Sequence, residues 1–248
     1  MKAPLPTRLG KSPLVDAIFE VRFSGEAQLS SILTGILYAN LNCSKVDRLP
    51  NSDLPEFIRQ ADANLKYAIY SRLTWDNYFI GIGDNALTLS PMPPYPGWAN
   101  FKQKIETVIE QLSNLNNIQS AERFSLKYID ILDENIHHDI YDTLNIGLSL
   151  LDRNFNPKTL QIRVETPKNN GTHLVQVIGQ ATATLPDSST KTGILVDIDS
   201  IQLLPELQKA ESFDALRAQI NELHQENKEL FFKLLTENGL ARLEAIYD

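Results

Sequence analysis

The chain is poor in cysteine, with only Cys43 among its 248 residues. One cysteine allows no disulfide within the chain and no metal cluster built on several thiolates. No apolar run approaches the roughly 18 residues that span a bilayer as a helix. The first segment, "MKAPLPTRLGKSPLVDAIF", is interrupted by three prolines and lacks the apolar stretch of a signal peptide. We therefore expect a cytoplasmic protein that does not cross a membrane.

Runs of basic residues are missing as well. The chain has 23 Lys and Arg against 31 Asp and Glu, which gives a net charge of -8. An acidic surface repels phosphate backbones and anionic lipids unless a local basic patch is present. Nucleic acid is thus disfavoured as a partner, and a protein or a small ligand is the expected one.

Sequence signatures of common enzymes are not found. The chain has no HExxH, Walker or GxSxG motif, and "GIGDNA" places two glycines before a turn instead of opening a helix. His137 and His138 lie side by side in an acidic loop without a spaced set of further ligands, while His173 and His224 are isolated. We predict no cofactor, and we interpret these four histidines as solvated.

What the chain does have is clear hydrophobic periodicity. Residues 14–23 alternate between apolar and polar as a half-buried strand does, and residues 29–37 then carry apolar residues at helical spacing. Three short strands follow in 66–91, separated by turn-forming Asp-Asn pairs, and a helix is predicted over 101–115. Residues 42–65 show no period and are predicted to form a loop with at most one helical turn.

The second half repeats this order of elements. A strand in 122–132, a weaker helix at 139–151, three strands and a long helix over 212–237 are predicted, with Ser212 as its N-cap and Gly239 as its stop. The fold class is therefore α+β, with two pseudo-repeated β-α-β-β-β-α units over 1–117 and 118–248. The two units would form a mainly antiparallel sheet with helices on one face. A single continuous domain built from both units is the alternative.

Charged residues mark the polar side of this predicted sheet. In "GILVDIDSIQ" the two aspartates alternate with Ile194, Val196 and Ile198, and other strands add charges of both signs. A solvated face with cross-strand ion pairs, a binding surface and a metal-dependent catalytic site all remain open. If a metal is bound at all, Asp197 and Asp199 are the expected ligands. The candidate site residues are Glu20, Arg22, Arg123, Lys127, Arg163, Glu165, Asp197 and Asp199.

Two further features carry alternatives of their own. Asp130 falls on the apolar face of its strand, where a carboxylate either caps a helix near the strand end or is buried with a partner. The helix at 212–237 carries an apolar stripe with Asn227 in its seam, which fits packing on the sheet or a homodimer contact.

Four segments resemble a known family: "PLVDAIFEVRF", "ERFSLKYIDIL", "GILVDIDS" and "LHQENKELFFKLLT". Together they are similar to a sporadically distributed family of prokaryotic proteins of about this length and of unassigned function. Lys127-Tyr128 stands where that family has an Arg-Tyr pair. The resemblance supplies no catalytic residues. The scattered distribution of the family implies a defence or mobile-element context.

The sequence thus favours a protein-interaction or small-ligand-binding module. The alternative is a metal-assisted hydrolase of a phosphate ester, in which Asp197 and Asp199 hold the metal and Arg123 or Lys127 stabilises developing charge.

Overall fold

The computed structural model of the chain describes residues 5–25, 29–137, 139–148, 156–185 and 188–247. The strands found there are β1 (Arg8–Leu9), β2 (Leu14–Gly25), β3 (Lys45–Arg48), β4 (Ser71–Trp75), β5 (Tyr78–Ile82), β6 (Ala86–Pro91), β7 (Ile118–Asp133), β8 (Gln161–Lys168), β9 (Gly171–Thr184), β10 (Thr190–Leu203) and β11 (Ala245–Ile246). The helices are α1 (Leu29–Asn40), α2 (Glu56–Ala61), α3 (Trp98–Ser113), α4 (Ile140–Thr143), α5 (Lys209–Leu234) and α6 (Glu237–Arg242).

Nine of these strands form one hydrogen-bonded sheet. Its order is β3-β4-β5-β6-β2-β7-β10-β9-β8, while β1 and β11 form a separate antiparallel pair. The pairs β3–β4, β4–β5, β5–β6, β6–β2 and β8–β9 are all antiparallel. The predicted α+β class with a mainly antiparallel sheet is confirmed. Among the described residues, no helix is both long and apolar enough to cross a bilayer.

The chain divides into two compact units that are interleaved along the sequence. The first unit comprises residues 1–16, 127–200 and 222–248, and the second comprises residues 17–126 and 201–221. The boundary predicted between residues 117 and 118 separates two structural repeats, which is a different division from these two compact units. That boundary stays a prediction.

In the second unit, strand alternation separates an apolar face from a polar one. The apolar side of β2 carries Phe19, Val21 and Phe23, all fully buried. On that same side of the sheet, α1 bonds β4 through Thr34 and Ser71, and α3 stacks Phe101 on Tyr78. Both helices therefore cover one face of this unit's sheet, and the other face holds its polar side chains.

The first unit has a separate core. Leu132, Val196 and Ile198 lie at its centre and are at most 1% exposed. Phe232 and Leu235, at the C-terminal end of α5 and just beyond it, join the same apolar cluster. The apolar face predicted for β10 is therefore the one that packs in this core.

Several predicted boundaries are wrong. Strand β3 lies within the predicted loop 42–65, where the charged "KVDR" hides the period of an edge strand. The helix predicted at 139–151 is reduced to the single turn α4 within the described residues, and 149–151 lie outside them. Ser212 lies inside α5, where its hydroxyl accepts from the Ala121 N–H, and Gly239 lies within α6.

The stripe of α5 is buried within the chain. Leu223 is 1% exposed and Asn227 2% exposed, and the Asn227 amide donates to Ile198 O at 3.0 Å and to Ser200 Oγ at 2.9 Å. The amide that would have set the register of a dimer is thus engaged inside its own unit. A homodimer through this stripe stays a prediction without support from these contacts.

Candidate functional site

The polar face of the second unit begins with the alternation of β2. Because Phe19, Val21 and Phe23 point into the core, Glu20 and Arg22 point to the opposite face. The register with β6 aligns Glu20 with Thr88, which is aligned in turn with Gly81 of β5.

Two glycines in β5 and just after it let a loop approach this sheet closely. A Cβ at Gly81 would lie 2.4 Å from Thr88 Oγ1 and 2.9 Å from Ile69 Cγ2, and a Cβ at Gly83 would lie 2.1 Å from Ala68 O. Side chains at these positions would displace the segment before β4. The "GIG" sequence therefore serves close backbone approach, which brings Tyr67 towards Arg22.

These elements assemble a cluster of two arginines, one glutamate and one tyrosine. Glu20 Oε1 accepts from Arg22 Nε at 2.7 Å and from Arg123 Nη2 at 3.2 Å. The Arg22 guanidinium carbon lies 4.0 Å from the centre of the Tyr67 ring, a cation–π contact. We call Glu20, Arg22, Tyr67 and Arg123 the arginine–tyrosine cluster.

The cluster is shielded but not closed off from solvent. The side chains of Glu20, Arg22 and Arg123 are 21%, 25% and 20% exposed. At its rim, the Tyr67 hydroxyl lies 3.5 Å from Glu122 Oε2, and a hydrogen bond with Tyr67 raises the pKa of Lys66. The guanidinium groups are therefore held in place and remain partly exposed to solvent.

Lys127 and Asp197 form a second charged group, in the first unit. Lys127 Nζ lies 2.8 Å from Asp197 Oδ2, and the Asp197 side chain is 11% exposed. The Asp197 Oδ1 atom is buried without a hydrogen-bond partner. Asp197 is thus not on a freely solvated face, and Asp199 beside it is half-buried.

The metal-site interpretation gains no support from this geometry. Within the described ranges, no group of three or more His, Cys, Asp or Glu side chains is placed to hold a metal ion. Asp197 engages an ammonium group, whereas magnesium needs several oxygen ligands. What these residues do form is a partly buried ion pair.

Asp130 is buried inside β7 at 6% exposure, which supports the buried alternative and not a helix cap or a solvent-exposed strand end. Burial raises the pKa of Asp130 to about 7, an effect that the charge of Lys191 opposes and that of Asp197 strengthens. Burial also lowers the pKa of Lys191, whose ammonium donates to Pro13 O at 3.0 Å. The carboxyl is poised to change its charge near neutral pH.

Arg163 and Glu165 form the third group, on β8. Their side chains are 62% and 61% exposed, and Arg163 Nη2 lies 3.1 Å from Glu165 Oε1. The eight candidate residues thus include the charged members of the arginine–tyrosine cluster, the Lys127–Asp197 pair with its neighbour Asp199, and this exposed pair.

The prediction of solvated histidines is wrong for the three that the structure describes. His137 is 2% exposed and His173 8% exposed, while burial and the charge of Lys228 lower the pKa of His224 to about 4. His224 Nδ1 lies 3.1 Å from the Tyr128 hydroxyl. His138 lies outside the described residues.

One buried network has the composition of a hydrolytic triad. His173 Nδ1 lies 2.9 Å from Ser200 Oγ, and its Nε2 lies 3.8 Å from a carboxylate oxygen of Glu226, which also binds Lys168. Ser200 is fully buried and also accepts from Asn227, so no substrate reaches its hydroxyl. We interpret the network as structural.

Sequence reasoning missed Tyr67, Glu122 and the partners of His173. Tyr67 reads as the start of a strand, and only the tertiary fold brings it to Arg22. The sequence does show Asn227 as a polar residue within an apolar helical stripe. Besides a dimer contact, this pattern is typical of a buried amide that bonds to groups of its own chain.

In comparisons with known proteins, the chain matches no family model and no curated protein.

Proposed function

We propose that the chain is a binding module whose arginine–tyrosine cluster recognises an acidic group on a protein or small ligand. The observation that carries this proposal is the convergence of Arg22 and Arg123 on a single oxygen of Glu20, at 2.7 and 3.2 Å. Two guanidinium groups meet one carboxylate oxygen there, which holds two planar N–H forks close together on one face of the sheet.

The chemistry of the guanidinium group supports an anionic ligand. Each guanidinium carries five N–H donors in a planar fork that suits carboxylates. Stacking on Tyr67 restrains Arg22, so less conformational entropy is lost when a ligand binds. The net charge of -8 concerns the whole chain, and it does not describe the local surroundings of Arg22 and Arg123.

The order of elements supports a related proposal, that the halves of the chain are structural repeats. Counted outward from the centre, the sheet reads β2-β6-β5-β4 in one half and β7-β10-β9-β8 in the other, with β3 as an addition. In each half the first strand pairs with the last. The two central strands then carry Glu20, Arg22 and Arg123, the charged members of the cluster.

The experiment is a titration of isotope-labelled protein with hexaglutamate, followed by the NMR signals of the arginine side-chain Nε–H groups. We expect the signals of Arg22 and Arg123 to shift with a common dissociation constant, and hexalysine to leave them in place. Arg22→Lys and Arg123→Lys should each weaken binding about tenfold, because lysine keeps the charge and loses the fork.

Arg48→Lys is the matched control, since Arg48 is exposed on β3 and outside the cluster. Binding by this variant should equal that of the wild type. The proposal fails if hexaglutamate shifts neither signal, or if the Arg48 variant weakens binding as much as the cluster variants do.

A further inference from the structure

Among the described strands, β8 is the last in the sheet order, and its outer edge pairs with none of them. Within the part of the chain that the structure describes, β9 is its single strand neighbour. The strand spans eight residues with six of them exposed, and Val164 is 49% exposed. A long open edge carrying an exposed apolar side chain is a template for pairing with another strand.

The hydrogen-bond register shows which backbone groups point away from β9. Gly179 N donates to Leu160 O at 2.8 Å, so position 160 faces β9, and in an antiparallel ladder the even positions that follow do the same. The N–H and C=O groups of Gln161, Arg163 and Glu165 therefore point outward. Pro167, which has no N–H, also falls in this outward set, where proline removes no bond to β9.

The side chains of this edge are complementary to themselves. In an antiparallel pair of two β8 strands with a two-fold axis at Val164, Arg163 lies opposite Glu165 of the second copy, and Glu165 lies opposite Arg163. Val164 meets its own counterpart on the other face. Axes at Arg163 or Glu165 would place like charges opposite each other, which is unfavourable.

We propose that β8 is a homodimer interface, at which a second copy of this chain pairs antiparallel about Val164 and continues the sheet. The pairing forms about six interchain N–H···O bonds, since the proline at each end withholds one donor. The interface is isologous, so it closes at two copies and does not propagate into a fibre. This inference is independent of the arginine–tyrosine cluster.

The strand at the opposite end of the sheet order is a weaker candidate. Strand β3 has four residues, half the length of β8. A strand this short offers few backbone groups for pairing with a second chain, and short edge strands are a common protection against association.

The first test is charge reversal, read by sedimentation equilibrium of the full chain over about three decades of concentration. The wild type should dimerise. Glu165→Arg should raise the dimer dissociation constant at least about tenfold, because both cross-strand pairs become repulsive. The double reversal Arg163→Glu with Glu165→Arg should restore dimerisation, since the opposed charges are again opposite.

The second test is a cysteine crosslink under oxidised glutathione. Two Val164→Cys side chains would face each other at the axis, about 4.5 to 5.5 Å apart, close to disulfide geometry. Thr166→Cys is the matched control on the same face, with its two thiols about 13 Å apart. Cys43 is 5% exposed and should not contribute.

A wild type that stays monomeric throughout would overturn the proposal. So would a double reversal that stays as weak as the single one, or a Val164→Cys crosslink that forms no faster than the Thr166→Cys crosslink. Circular dichroism of each variant establishes that a loss of dimer is not a loss of fold.

Discussion

Replacement of Asp130 by asparagine should make the protein more stable at pH 8 and leave its stability at pH 4 nearly unchanged. The Asp130 carboxyl is 6% exposed, and burial raises its pKa from 3.8 to about 7. A shift of this size corresponds to about 4 kcal/mol between the two charge states. An amide of the same shape never ionises, so the variant does not lose this free energy.

Proton binding by the folded and unfolded states sets the direction in which the free energy of unfolding changes with pH. Between pH 4 and pH 7 the folded protein holds a proton on Asp130 that the unfolded chain has released, so the free energy of unfolding falls as pH rises. His224 acts oppositely, because its pKa is lowered from 6.5 to about 4 and its contribution to stability rises with pH in that window. The wild-type curve mixes the two effects, whereas the difference between wild type and Asp130→Asn contains only the first.

The assay is urea unfolding of wild type and Asp130→Asn, followed by circular dichroism at unit steps from pH 4 to pH 8. The stability gained by the variant, taken relative to its value at pH 4, should grow to about 4 kcal/mol by pH 8. Asp53→Asn, an equal change of charge at an exposed position, is the control and should show little pH dependence. A flat difference curve for Asp130→Asn would refute the assignment of a buried carboxyl that titrates near neutrality.

Two further predictions concern packing and pairing. Lys127→Met should destabilise the fold by about 2 kcal/mol in urea unfolding, because the buried Asp197 carboxylate then has no ammonium partner. Adding Asp197→Asn should recover most of this loss. An equal loss of stability in the double variant would contradict the prediction. Gly193→Ala should cost more than about 3 kcal/mol, since its Cβ would lie 1.9 Å from Leu132 O, while Gly35→Ala, with nothing within 4 Å inside α1, should gain about 1 kcal/mol. Thermal unfolding compares the two glycine variants, and the contact argument is refuted if they shift the midpoint alike.

The sequence by itself determined the elements whose period is regular. Strand β2, the meander of β4 to β6, and helices α1 and α3 were predictable because burial of one face imposes a repeat of two or 3.6 residues. The alternation also identified Glu20, Arg22 and Arg123 as polar-face residues before their contacts were known. These features depend on neighbours along the chain, which a sequence displays directly.

Only the tertiary structure decided which charges meet and which polar groups are buried. Arg22 and Arg123 are far apart in sequence and reach one oxygen of Glu20 because β2 and β7 are neighbours in the sheet. The burial of Asp130, with its raised pKa, likewise depends on what packs against β7. Local periodicity reports only the side of a strand on which a residue lies. Its pKa, partners and accessibility depend on distances of a few ångströms to residues elsewhere in the chain, and folding alone sets these distances.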